Sequence, residues 1–235
     1  MHFVTRCVFQ LSLITLLMVP LPALAIPAIT CHCFTDRSYD PAHPTLADPY
    51  FLATTQNSFV AAVFGVDKKT IVLKKQEGIS ADDLWVAYWL AVRSGADPGS
   101  LLQEHKARGS WRQVAAPLTV SAGSWGGKVA EALKAGAADK RLANAVVDEL
   151  LLRFRFLGAP ELAALRKAGA GDQELILSGL IAAKTRQPAF QLYRQVNGGR
   201  TSWGALLQQA RIDPADIQPE VTALVKKSLN PVNGR

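Results

Sequence analysis

Cysteine is scarce in this chain, and the scarcity limits what can hold it together. Three cysteines occur, at positions 7, 31 and 33, and the first sits in an apolar N-terminal stretch. At most one bridge remains for the rest of the chain, so a hydrophobic core rather than a disulfide framework must carry the fold. The common enzyme signatures are missing too. There is no G-x-S-x-G elbow, no H-E-x-x-H, no G-x-x-x-x-G-K-[ST] phosphate loop and no dinucleotide fingerprint in a β-α-β setting. Beyond residue 25 no apolar run approaches the roughly 20 residues of a membrane span. The longest, Leu84 to Val92, is nine residues and reads as a buried helix. Basic residues occur at most as pairs, such as Lys68-Lys69 and Lys226-Lys227, so no polybasic tract marks a nucleic-acid partner.

What is present begins with an export signal. Arg6 precedes an apolar stretch from Cys7 to Val19, followed by Pro20, Pro22 and the small-residue pattern Ala23-Leu24-Ala25. The expectation is a signal peptide over 1–25, cleaved after Ala25, and a chain bound for the periplasm or the extracellular space. The rival is an uncleaved anchor, against which the two prolines interrupt the run. After cleavage 210 residues remain with no integral membrane span, enough for one compact domain or two small ones sharing a core. The leader contributes only Arg6 to the charge, so the mature chain carries 25 Lys and Arg against 19 Asp and Glu. That mild excess suits solvated helix faces, with weak attraction to acidic lipid or polysaccharide surfaces.

Residues 26–53 read as an irregular arm, with Pro27, Pro41, Pro44 and Pro49 and few periodic apolar positions. The arm holds Cys31-His32-Cys33, the one cluster with evident ligand chemistry. Two thiolates and an imidazole suit copper(I) or zinc, and His43 with Asp36 or Asp40 could complete a shell if the arm folds back. The spacing is neither the C-x-x-C of structural zinc sites nor the C-x-x-C-H of haem attachment. A disulfide, within the arm or to a partner protein, and two incidental packed cysteines are the competing readings.

From about Thr54 the apolar spacing turns helical and stays so. Asp67 caps a helix over Thr70 to Leu73, ended by Lys74-Lys75 and Gly78. Ser80 with Asp83 forms a capping box opening Leu84 to Arg93, closed by Gly95. Asp97-Pro98 opens a helix that Gly109 ends, and Ser110 with Gln113 suggests another capping box before Pro117. Asp213-Pro214 opens a last helix to about Leu229.

The same order of signals occurs twice. The segment from Val63, VFGVDKKTIVLKKQEGISADDLWVAYWLAVRSGADPGSLLQEHKARGSWRQVAAPL, aligns with that from Phe156, FLGAPELAALRKAGAGDQELILSGLIAAKTRQPAFQLYRQVNGGRTSWGALLQQARI. Gly65 meets Gly158, Lys74-Lys75 meets Arg166-Lys167, and Gly78 meets Gly169 or Gly171. Further on, Leu84 meets Leu175, Pro98 meets Pro188, Leu102 meets Tyr193 or a neighbour, and Ser110-Trp111 meets Ser202-Trp203. A third Ser-Trp pair, Ser124-Trp125, opens the closing helix of the first unit. The expected fold is therefore all-α: two degenerate copies of a multi-helix unit, over 54–142 and 143–235, packed as one body behind the arm.

This consensus of glycines, helix caps and a Ser-Trp helix start resembles the repeated helical modules of secreted bacterial proteins, with patterns such as LRxxG…IAxxSGxxPxxVLxLxxxGxGWGxIAxxLG. The resemblance covers about half the chain, 63–118 and 156–212. It implies architecture; no activity and no catalytic residue come with it. The Ser-Trp helix is also similar to the first helix of a helix-turn-helix, but Trp as core is the simpler reading in an exported chain.

Trp85 and Trp89 fall on one side of a helix and either line a ligand groove or centre the core. His105, on a helix, reads as a snorkelling surface residue, and Asp82-Asp83 as helix-start charges. Together these features point to an exported, non-catalytic helical binding or interaction protein of the bacterial envelope, taking an envelope protein or surface ligand as partner. The alternative is copper or zinc handling, or thiol redox work, through Cys31-His32-Cys33 and His43. A hydrolase or envelope-remodelling enzyme would need a site of an unfamiliar kind.

Overall fold

A computed structural model describes residues 38–118, 120 and 122–229. Among these, the chain forms twelve α-helices and one 3-10 turn, with no strand, around one continuous core. The helices are α1 Asp48–Phe64, α2 Lys68–Gln76, α3 Ala81–Ser94, α4 Pro98–Arg108, α5 Trp111–Ala115, α6 Gly127–Lys134, α7 Asp139–Arg153, α8 Ala159–Lys167, α9 Asp172–Thr185, α10 Ala189–Asn197, α11 Trp203–Gln209 and α12 Ile217–Leu229. The 3-10 turn Ala122–Trp125 precedes α6.

Most helix starts follow the local chemistry. The side chains of Asp67, Ser80 and Asp97 accept from backbone amides of Lys69, Asp83 and Ser100. Gly95 and Gly109 end α3 and α4 in the left-handed conformation that costs glycine nothing. Two expectations are corrected. Helix α1 begins at Asp48, inside the expected arm, because Pro49 lies in the first turn, where its missing N–H and fixed φ favour a helix start. Ser110 makes no side-chain cap; the carboxylate of Asp139, far along the chain, accepts from the Trp111 amide at 3.1 Å instead. The last helix starts at Ile217, after a turn through Asp213–Asp216. Positions 142 and 143, the expected seam between units, both fall inside α7.

Helix α1 occupies the centre. It buries Phe51, Phe59 and Val60, but also Thr54, Thr55, Gln56, Asn57 and Ser58, each at most 3% exposed. Buried polar groups are mostly paired, and here Asn57 Nδ2 is the exception among the described residues of the band. Thr55 and Ser58 bond back to the carbonyls of Phe51 and Thr54, while Lys68 Nζ reaches Thr54 at 2.8 Å. Lys75 Nζ donates to Gln56 and Asn57, and Gln173 donates to Gln56 from α9. Burial in this band pulls the Lys68 pKa below its ordinary value.

The helix order recurs. Asp48 and Asp139, Lys68 and Ala159, Ala81 and Asp172, and Pro98 and Ala189 each open helices 91 positions apart, and Trp111 and Trp203 open helices 92 apart. Packing follows the same pairing crosswise. Helix α3 lies against α7, and α9 against α1; α6 covers α7, and α12 covers α1. Phe59 of α1 meets Trp85 of α3 at 6.0 Å and Phe156, just past α7, at 4.6 Å. In the register of the helices, Lys75 rather than Lys74 matches Arg166. Lys75 bonds Asn57, and Arg166 bonds Asp148 at 2.7 and 2.9 Å, at the corresponding places on α1 and α7. Burial works against the Arg166 charge, but Asp172 and Asp148 outweigh it and raise its pKa above the ordinary value.

Asp48 also caps α11 across the molecule, accepting from Trp203 N at 3.1 Å and Gly204 N at 2.8 Å. Burial raises its pKa above 3.8, partly offset by those two amides. A carboxyl whose native pKa is raised contributes stability that is present below its unfolded pKa and lost as pH rises through the native one. Wild-type stability relative to Asp48→Asn is therefore expected to be most favourable below pH 3.8 and to fall as pH rises toward neutrality, as read from urea midpoints of both proteins. A pH-independent difference would contradict this. Arg186 holds the left-handed C-cap of α9, φ 61°, where α3 uses Gly95. Arg186→Gly is expected to stabilise by roughly 0.5–1 kcal/mol, measured by the same midpoints.

Candidate functional site

Four helix ends meet around His105. It sits near the end of α4, its side chain 19% exposed, and its ring stacks on Trp111 at a centroid distance of 4.3 Å with 4° between planes. Nε2 lies 2.7 Å from Asp139 Oδ2, and Nδ1 lies 3.4 Å from Asp83 Oδ1. Asp139 uses its other oxygen to accept from the Trp111 amide, and Asp83 accepts from the Trp111 indole N–H at 2.9 Å. The cluster thus ties the starts of α3, α5 and α7 to the end of α4. Both imidazole nitrogens face carboxylates and one ring face is covered. That arrangement joins four helix ends.

Beside the cluster a cleft of about 590 Å³ opens between the end of α2 and α4. Ile79 and Leu102 form its apolar floor, Lys74, Glu77, Gln103 and Lys106 its rim, and Asp83 with His105 one wall. Its volume falls in the range of small-ligand sites, roughly 300–1,000 Å³. No family model, curated protein or solved structure matches the chain. The site therefore has to be read from its own geometry.

Trp85 and Trp89, candidates for a ligand groove, are 0% and 2% exposed. They lie in the core, Trp85 against Phe59 and Phe64, and Trp89 under the Arg93 guanidinium at 4.2 Å. Their rings present no surface to a ligand. Cys31, His32 and Cys33 lie outside the described residues. His43 is exposed and pairs locally, Nδ1 to Asp40 Oδ2 at 2.9 Å. That bond, together with the Ala42 amide, lowers the Asp40 pKa. Among the described residues no three His, Cys, Asp or Glu side chains converge as a metal site.

Local sequence marks neither Asp139 nor the α2–α4 cleft, and His105, expected at the surface, is largely covered. Asp139 opens α7 within a charged stretch, and nothing local marks it as the cap of a helix that starts 28 residues earlier. One signal was available: Asp48 and Asp139 each stand at the first position of corresponding helices.

Removing the imidazole leaves two partly buried carboxylates without their shared partner and uncovers Trp111. His105→Ala is expected to cost about 1–3 kcal/mol. Asp139→Ala is expected to cost a similar amount, about 1–2 kcal/mol, through the lost cap. The double variant should lose distinctly less than the sum, because the two residues share one bond. Full additivity in denaturant unfolding would show that the pair does not act as a unit.

Proposed function

We propose that this chain is exported, with residues 1–25 as its cleaved signal, and that the helical body is a non-catalytic binding or interaction module of the bacterial envelope. The observation that carries this reading is His105. It is the one imidazole in residues 48–229, and both of its nitrogens are engaged by carboxylates that themselves hold helix starts. The imidazole of the helical body is thus engaged in joining helix ends. Recognition then falls to surface shape, which the cleft between α2 and α4 supplies. No helix among the described residues is long and apolar enough to cross a membrane, in keeping with a body that meets its partner outside the bilayer. The alternative, copper, zinc or thiol chemistry at Cys31-His32-Cys33, draws its support from the sequence of the arm alone.

The test is expression of the full chain, tagged at the C-terminus, in a bacterium, followed by fractionation and intact mass. A photoreactive residue is placed at Leu73 or Val92, both exposed apolar positions. The expected result is a periplasmic or secreted chain beginning at Ile26 that gives a discrete adduct with an envelope component. A cytoplasmic chain retaining residues 1–25, or an exported chain giving no adduct at either position, would overturn the reading.

A further inference from the structure

The two halves of the molecule provide an internal comparison for the cleft. The turn after α2 and the turn after α8 are built alike: the amides of Glu77, Gly78 and Ile79 bond the carbonyls of Leu73, Lys75 and Lys74, and those of Ala168, Gly169 and Ala170 bond Ala164, Arg166 and Leu165. What differs is the space between this turn and the next helix but one. In the second half α8 packs directly on α10, and Tyr193 lies between them, 4% exposed, with its hydroxyl donating to the carbonyl oxygen of Ala168 at 3.2 Å. Leu165 and Ala170 around it are also buried.

Ninety-one positions earlier stand Leu102, Lys74 and Ile79 in place of Tyr193, Leu165 and Ala170, and Glu77 in place of Ala168. All three of the first group are partly exposed and line the cleft of about 590 Å³, and α2 and α4 make at most marginal contact. The first half thus keeps the turn against which Tyr193 closes but lacks the tyrosine. Among the described residues, no side chain donates to the Glu77 carbonyl.

We propose that the cleft between α2 and α4 is a receptor site for a tyrosyl side chain presented by a partner polypeptide, its ring on Ile79 and Leu102 and its hydroxyl donating to the carbonyl oxygen of Glu77. The second half displays the geometry that the occupant adopts. A polypeptide fits better than a free phenol. The cleft is larger than one ring needs, and Gln103, Lys106 and Glu77 on its rim offer donors and acceptors to main-chain amides and flanking charges. The inference rests on the reading of the body as a binding module and names its site. It fails separately: export and a chain beginning at Ile26 do not depend on this cleft, and an adduct at Leu73 or Val92 can form with a partner that presents no tyrosine.

The experiment is amide chemical-shift titration of the full mature chain with N-acetyl-tyrosinamide, N-acetyl-phenylalaninamide and p-cresol. Saturable shifts at Gly78, Ile79 and Gln103 are expected with the tyrosine amide. Binding of the phenylalanine amide, which lacks one neutral hydrogen bond, should be about fivefold weaker. Leu102→Tyr inserts the residue of the second half and should abolish these shifts without lowering the melting temperature. Absence of shifts, shifts that survive in a folded Leu102→Tyr protein, or equal affinity for both amides would overturn the proposal. Binding of p-cresol as tight as that of the tyrosine amide would overturn its assignment to a polypeptide. The comparison of the two amides needs no variant, so the proposal stays testable if Leu102→Tyr folds poorly.

Discussion

Each half of this protein buries its first helix in the other half. Helix α1, with Asp48 at its start, is enclosed by α9, α11 and α12 as well as by its own α2 and α3. Helix α7, with Asp139 at its start, is enclosed by α3 and α6. Helix α1 buries most of its length, more surface than α2 and α3 alone cover, and burial of apolar surface is the main favourable term in folding. The two leading carboxylates repeat the exchange at the level of hydrogen bonds. Asp48 closes the start of α11, and Asp139 closes the start of α5. The placement of the other helices, and of the cleft between α2 and α4, follows from these two crossings.

Helix class and most helix ends could be read from the sequence because they depend on neighbours three or four residues away. Asp67, Ser80 and Asp97 cap where local rules place caps, and Gly95 and Gly109 terminate as read. What could not be read depends on distant residues. Thr54-Thr55-Gln56-Asn57-Ser58 is a polar run at the start of the helical unit that local patterning would turn toward solvent. It is buried because Lys68, Lys75 and Gln173 bring hydrogen-bond partners to it from α2 and α9. Asp139 and His105 are similarly ordinary on their own helices, and their pairing exists only once α4 and α7 meet. Trp85 and Trp89 illustrate the reverse: their spacing fits a core more readily than a groove, and both are buried.

The two sets of helices, 91 positions apart, differ at particular residues around the cleft. In the first half the position matching Val196 is His105, that matching Glu174 is Asp83, and that matching Tyr193 is Leu102. The first two build a polar clamp at the cleft wall, and the third leaves the cleft open. The second half keeps the apolar, closed version, with Tyr193 bonded to Ala168. Cys31-His32-Cys33 has no sequence counterpart in residues 143–235.

The central claim is that the two halves fold only together. Native-state hydrogen exchange of the full chain, read by mass spectrometry under increasing denaturant, tests it most directly. The expected result is one shared global opening free energy for the slowest amides of α1, α3, α7 and α9, with denaturant dependence that merges in a single isotherm. Two separate isotherms, one for α3 to α5 and another for α9 to α11, would mean that each half is stable alone and would contradict the account.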